Sequence, residues 1–408
     1  LKEGILTKMS MRYTNFTFSL ILGFILINMS PVTIASPVSG FDKWLSDVEV
    51  SARAEGLSEA TIKNLAGLKM DPDILALAAR QPEYVKPAWD YLDTMVSDKR
   101  FTKGKSMLAS NQAIFDRLEK TYGVNRFLLT AIWGMETNYG GYQGKKHVLR
   151  ALATLGYDGG RRKAFGRQQL IAALKILEAG DIPVDKMYCS WAGAMGQTQF
   201  IPTTYLGYAV DATGDGKRDI WNSREDALGS AANYLKVSGW RDEMRWGYEV
   251  ALPEGFDFAQ ADLAHQKTLK QWQRLGVRGV KMQVPENNEN AALYLPAGYS
   301  GPAFLVTDNF RAILRYNTAP FYALAIGILS DKLGGGEGVR TAWPKSERPL
   351  HPSELRELQS LLTTAGYPTG KPDGMMGQKT RDAIRAYQKQ YKLQPDGYAT
   401  PALLNRLK

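Results

Sequence analysis

Helical periodicity runs from Phe41 to about Gly239, and it constrains the fold more than any other feature of the chain. Segments such as SARAEGLSEATIKNLAGL, NQAIFDRLEKTYG and GRQQLIAALKILEAG place apolar side chains at 3.6-type spacing and stop at Gly or Pro. A helical domain is the expected result. Between about Trp246 and Val306 the texture changes to short β-rich runs, RWGYEVALP, VKMQVP, AALYLPAG and GPAFLVT, bounded by Pro, Gly and Asn. Helical spacing returns in FRAILRYNTAPFYALAIGILSDKL.

A chain of 408 residues is too long for one ordinary domain and predicts two or three. The stretch LGGGEGVRTAWPKSERP, with its glycines, mixed charges and two prolines, reads as a linker that promises no fixed geometry. Beyond it lies a compact module from Leu350 to Lys408, with nine basic residues against five acidic ones. The module holds a weak internal repeat, PDGMMGQKTRDAI from Pro372 and PDGYATPALLNRL from Pro395. Each copy is an Asp-Gly turn leading through a Thr into an amphipathic helix, and no catalytic cluster accompanies it.

With 44% hydrophobic residues the chain can bury real cores, which excludes disorder, and its formal charge of +10 predicts an anionic partner. Residues 9–35 read as a secretory signal peptide. Arg12 stands near the start, an apolar run spans about Phe18 to Ile27, and small residues around Thr33 to Ser36 allow cleavage after Ala35. The run is short for a membrane span, and Leu1 to Lys8 precede the first Met as a candidate upstream extension. The single cysteine, Cys189, lies far from this segment, so a lipid-anchored form is not expected and no intrachain disulfide can form. The expected location is the periplasm. Export and the lack of a basic run with interleaved aromatics argue against nucleic acid as a partner.

In AIWGMETNYGG, Leu129, Ile132, Trp133 and Glu136 fall at the i, i+3, i+4, i+7 spacing of one helix face, before TNYGG breaks the helix. Glu136 thus continues a buried stripe. Desolvation disfavours its charged form, which keeps a carboxyl protonated near neutral pH and fit to act as a general acid.

The blocks GVNRFLLTAIWGMETNYG, SWAGAMGQTQFIPTTYLGYAVDATGDGKRDIWN and RYNTAPFYALAI strongly resemble the B family of lytic murein transglycosylases, over roughly Phe41 to Leu333. LQSLLTTAGYPTGKPDGMMGQKTRDAIRAYQKQYKLQPDG looks like the peptidoglycan-binding module found at the ends of cell-wall enzymes. The resemblance implies a mainly α chain: a lysozyme-like catalytic domain over 37–333 with a β-containing insertion at about 246–306, a linker over 334–349, and a small three-helix binding domain over 350–408. It also implies non-hydrolytic cleavage of the β-1,4 bond between N-acetylmuramic acid and N-acetylglucosamine, leaving 1,6-anhydromuramoyl ends. Glu136 matches the family's single catalytic acid. Ser190, Gln199, Arg161, Arg162, Tyr316 and Asn317 match positions lining its cleft, with Gln197 and Tyr322 as weaker matches. One carboxylate suffices where the substrate's own C6 hydroxyl is the nucleophile, so no cofactor is required. The expected partner is the peptidoglycan glycan strand, alongside other cell-wall enzymes, with the chain itself a monomer.

DATGDGKRDIWNSRED imitates a calcium loop, with Asp211, Thr213 and Asp215 at positions 1, 3 and 5, Gly216 at the sharp turn, and Lys217 offering its carbonyl. Position 12 is Asn222, so an enlarged loop ending at Glu225 would be needed. Ordinary Asp-Gly turns explain the same letters. His147, His265 and His351 show no metal-ligand spacing, which disfavours a zinc amidase. The rival readings are a hydrolytic muramidase, which needs a second carboxylate, and a non-catalytic wall-binding protein, which would not need Glu136.

Overall fold

A computed structural model of the chain describes residues 40–79 and 86–408. The signal peptide read at 9–35 lies outside the described residues. The fold is mainly helical, as the periodicity required.

The Arg126–Thr137 helix is the spine of the first core. Asn125 starts it, its Oδ1 accepting from the Leu128 N–H at 2.8 Å. Leu128, Leu129, Ile132 and Trp133 then pack inward against Leu324, Ala325 and Ile328 of the Pro320–Leu333 helix. The helix ends where Asn138, Tyr139 and Gly140 all take left-handed backbone, with φ of 52°, 63° and 76°. A tyrosine in that region is strained. The strain is offset by its ring, edge-on to Trp133 at 5.6 Å, and by its hydroxyl, which donates to the Arg100 carbonyl at 2.7 Å.

A second core joins the Gly40–Ala54, Val148–Asp158 and Lys163–Glu178 helices. The last two form a hairpin close enough that a Cβ at Gly166 would lie 2.3 Å from the Gly156 nitrogen. Replacing Gly166 with Ala is expected to lower stability by about 2 kcal/mol: overpacking costs about 3, and helix propensity returns about 1. Thermal melting should fall by roughly 4–8 °C; an unchanged midpoint would mean that the hairpin can open at no cost.

The β-rich stretch forms a five-stranded antiparallel sheet, ordered Gln266–Thr268, Asn290–Tyr294, Ala303–Thr307, Gly247–Ala251, Arg278–Gly279. In register, Leu305 sits between Leu293 and Tyr248. Trp272 lies beneath, its indole N–H donating to the Ala291 carbonyl at 2.9 Å.

The C-terminal helices, Pro352–Thr364, Gln378–Gln390 and Pro401–Leu407, close over Leu358, Leu362, Ile384 and Leu404. The sequence repeat has a bonding counterpart. A buried Gln from the preceding helix clamps each Asp-Gly turn: Gln359 Oε1 accepts from Gly374 N–H and its amide donates to Asp373, at 2.9 and 3.1 Å. Gln388 does the same for Gly397 and Asp396, at 2.9 and 2.8 Å.

The 334–349 segment has no helix or strand, yet it is not a loose tether. The buried Glu249 carboxylate accepts from the Arg340 and Thr341 N–H groups, the latter at 2.7 Å, and Trp343 packs on Trp89. The module it leads to is docked as well. Arg385 Nη2 donates to the Ala261 carbonyl at 2.7 Å, and the Tyr299 N–H donates to Asp396 Oδ2 at 2.9 Å.

Candidate active site

Glu136 occupies the last turn of the Arg126–Thr137 helix, partly buried, and Tyr322 donates its hydroxyl to Oε1 at 2.5 Å. Burial pushes the carboxyl up from 4.5 to about 7, against the opposing pull of the Tyr322 hydrogen bond. Among the described residues Tyr322 is its hydrogen-bond donor; neither Ser190 nor Gln199 bonds to it directly. Below about pH 7 the group is mostly the neutral acid, which one proton transfer turns into a base.

Tyr322 belongs to the same apolar helix, Pro320–Leu333, that packs against the Glu136 helix, so core packing sets the distance between them. Tyr91, on the Ala88–Met95 helix, also feels the Glu136 charge, and burial with that charge raises its hydroxyl. Sequence reading missed Tyr91 altogether. It lies on a helix that carries no motif, with two further helices between it and the Glu136 helix, and only the tertiary fold brings it in.

The 190–200 loop is fastened to the end of the Glu136 helix by Gln197, which is buried. Its Oε1 accepts from the Trp133 indole at 3.0 Å, and its carbonyl accepts from the Thr137 hydroxyl at 2.7 Å. Gly140 answers to the same contact, since a Cβ there would sit 2.7 Å from Gln197 Oε1. Gln197 is therefore a structural tie between the two motif blocks. Gln199 follows with φ of 53°, a left-handed conformation unusual for a side chain of its size, held as its amide donates to the Gly196 carbonyl at 3.0 Å. Ser190 Oγ accepts from the Ala194 N–H at 3.2 Å, which leaves its own proton to donate.

Tyr316 donates to the Thr198 carbonyl at 2.5 Å and packs against Phe200 and Tyr234; burial and then the Glu136 charge raise its hydroxyl well above the usual tyrosine range. Asn317 is exposed, and its Oδ1 accepts from the Ala319 N–H at 3.0 Å, turning the chain into the Tyr322 helix. Arg162 lies with its guanidinium 5.0 Å over the Trp191 ring and its Nε buried without a partner. Arg161 is exposed in the same short Gly160–Arg162 turn and makes none of these contacts.

The acidic loop converges, but not as the spacing suggested. Carboxylate oxygens of Asp211, Asp215 and Asp226 lie within 4.8 Å of one another. Glu225 is turned away, in a two-point ion pair with Arg117 at 2.7 and 2.6 Å, so its assignment as the closing ligand is corrected. Asp226 faces the loop: Oδ1 accepts from the Ala212 and Thr213 N–H groups, and Oδ2 from Asp219 N–H. The Thr213 hydroxyl donates to Asp211 Oδ1, and the Lys217 N–H to Asp215. Three converging carboxylates form a hard-oxygen donor set of the kind calcium takes.

A family model described as Transglycosylase SLT domain matches residues 40–331, and one described as Putative peptidoglycan binding domain matches residues 351–407. Membrane-bound lytic murein transglycosylase B of Escherichia coli is 32% identical over 266 residues, covering 63% of this chain and 70% of that protein. SltB3 of Pseudomonas aeruginosa, solved in complex with NAG-anhNAM-pentapeptide, is 48% identical with a TM-score of 0.87, over 90% of this chain and 99% of that one. Slt35 of Escherichia coli, solved in complex with calcium, is 26% identical with a TM-score of 0.62, over 71% and 92%. A partly buried carboxyl at the end of a core helix and a docked three-helix module stand within the two matched regions. The chain belongs to the lytic transglycosylases of the SLT-domain family and carries a peptidoglycan-binding domain behind its catalytic one.

Proposed function

We propose that this chain cleaves the β-1,4 bond between N-acetylmuramic acid and N-acetylglucosamine in peptidoglycan strands, without water, leaving 1,6-anhydromuramoyl ends. The observation that carries the reading is Glu136, a single carboxyl raised to about 7 and held by Tyr322. Glu136 protonates the glycosidic oxygen, and the C1–O bond breaks as the neighbouring 2-acetamido group stabilises the cationic carbon. The carboxylate left behind takes the proton of the C6 hydroxyl, whose oxygen closes on C1. The carboxyl ends the cycle protonated. Gln199, Ser190, Asn317 and Arg162 are assigned to the sugar and its substituents, with Arg161 at the outer edge, and Tyr316 to holding the 198–199 backbone. Acting on this polymer places the chain outside the cytoplasm, which fits residues 9–35 as an export signal, and a monomer suffices for the chemistry.

Mass spectrometry of purified sacculi digested by the protein tests the reaction. Anhydromuramoyl products are expected; reducing-end muramic acid would make it a hydrolase and require a second carboxylate.

Calcium at Asp211, Asp215 and Asp226, with the Thr213 hydroxyl and the Lys217 carbonyl beside them, is proposed as structural, a reading supported by the calcium complex of Slt35. Raising free calcium to a hundred times its Kd is expected to stabilise the catalytic domain by about 2.7 kcal/mol. Asp226→Asn should erase that gain and Glu225→Gln should not. Equal loss in both would return Glu225 to the ligand set.

A further inference from the structure

A cavity of about 460 Å³ opens where the catalytic domain, its sheet and the C-terminal module meet, a size suited to a small ligand. Most of its wall is apolar, from Ala88, Leu263, Leu293, Leu295, Phe321 and Met376. Four charged residues line it as well: Arg381 and Asp396 of the module, whose side chains bond within the protein, and two that keep a buried atom unpartnered, Asp262 of the catalytic domain and Arg385 of the module, 7% and 9% exposed. Each of these last two is only partly satisfied. Asp262 Oδ1 accepts from the Ala264 N–H at 2.8 Å, while Oδ2 has no partner. Arg385 Nη2 is spent on Ala261, its ion pair at 3.5 Å is with Asp382, and Nε has no partner. A buried donor and a buried acceptor left unmade are costly, and here one of each sign lines a single apolar chamber.

That chamber also lies beside the chemistry. Phe321 lines it, and the next residue, Tyr322, holds Glu136. Ala88 lines it, and Tyr91, one turn further along the same helix, senses the Glu136 charge. The rings of Tyr91 and Phe321 stand 6.1 Å apart, so the two helices touch at these residues. The cavity and the Glu136 site thus share the walls of two helices, and three of the cavity's four charged residues come from the module.

We propose that this interdomain cavity binds the peptide stem of the polymer, taking a zwitterionic amino-acid head on an aliphatic side chain, with the head's ammonium on Asp262 and its carboxylate on Arg385. The inference rests on the reading of the substrate as peptidoglycan and adds to it a stem subsite shared between the two domains. It turns the module from a tether into a part of the substrate site. SltB3, at 48% identity, is solved with a pentapeptide-bearing ligand, which is consistent with stems reaching a chain of this shape.

Isothermal titration of the full chain with a glycan-free tetrapeptide, whose third residue is a diamino diacid with free ammonium and carboxylate, tests the proposal. Binding with Kd below about 1 mM is expected, weakened by about tenfold or more when that head is acetylated and amidated. Asp262→Asn keeps the acceptor for Ala264 and so should keep the fold while weakening binding about tenfold. Arg385→Gln should weaken it too, with thermal melting run beside it to expose any loss of docking. No binding by the parent, or equal binding by parent and Asp262→Asn, overturns the proposal. Cleavage of intact sacculi by the parent is scored separately: its failure would sink the peptidoglycan reading while leaving the titration to judge the cavity.

Discussion

Glu136→Gln is expected to lower the rate of anhydromuramoyl release by at least about 10³-fold, with the substrate KM little changed. General acid–base assistance contributes about 10²–10⁴ where one group performs one transfer. Here the same carboxyl performs both, protonating the leaving oxygen and then accepting the C6 proton, so no second residue retains half of the effect. Gln keeps the shape of the side chain and can still accept from Tyr322, which now bonds Oε1 at 2.5 Å. The loss therefore reports on proton transfer and not on collapse of the site. The pH profile of the parent follows from the same group. The acid must be protonated to begin the cycle, so activity should fall as pH rises through about 7. Product release from parent and variant, measured across pH, checks both. A variant retaining a tenth of the parent rate would mean that another group supplies the proton.

What could be read in the sequence was whatever a local period encodes. The stripe Leu129, Ile132, Trp133, Glu136 lies within one helix, so its spacing alone placed the carboxyl against the core. Tyr322 was only a weak candidate, because nothing near PFYALAI states which helix it will meet. Tyr91 had no local sign at all. The closing acid of the loop fell between neighbours for a specific reason. Glu225 and Asp226 both lie in the first turn of the Arg224–Val237 helix, about 100° apart around its axis. Chain distance cannot decide which of two such residues turns inward; the N–H groups of Ala212, Thr213 and Asp219 decide it for Asp226. The segment 334–349 failed differently. Gly and Pro correctly excluded regular structure, but the bonds that fix it come from Glu249, far away in the sheet. Composition reports local propensity and is silent on a distant acceptor.

The second large effect is on stability, and its sign is opposite to the first. Glu136 has a folded-state value of about 7 against an ordinary 4.5, so between those values the folded protein holds a proton that the unfolded chain releases. Stability from this group is complete below about pH 4.5 and declines as pH rises, reaching its floor once pH passes about 7. A gap of that size corresponds to about 3 kcal/mol, at about 1.36 kcal/mol for each unit. Gln carries no such proton. Glu136→Gln should therefore match the parent near pH 4 to within a constant offset and gain on it by about 2–3 kcal/mol by pH 8. Urea unfolding of the catalytic domain at the two pH values measures the difference of differences, from which any fixed cost of burying an amide cancels. A gap that stayed constant would mean that the carboxyl ionises in the cleft as readily as in water. It would then lack the property that lets one residue serve as acid and base in turn. The carboxyl that makes the cleft reactive is thus expected to weaken the fold above neutral pH, because the desolvation that keeps its proton in place also penalises its charge.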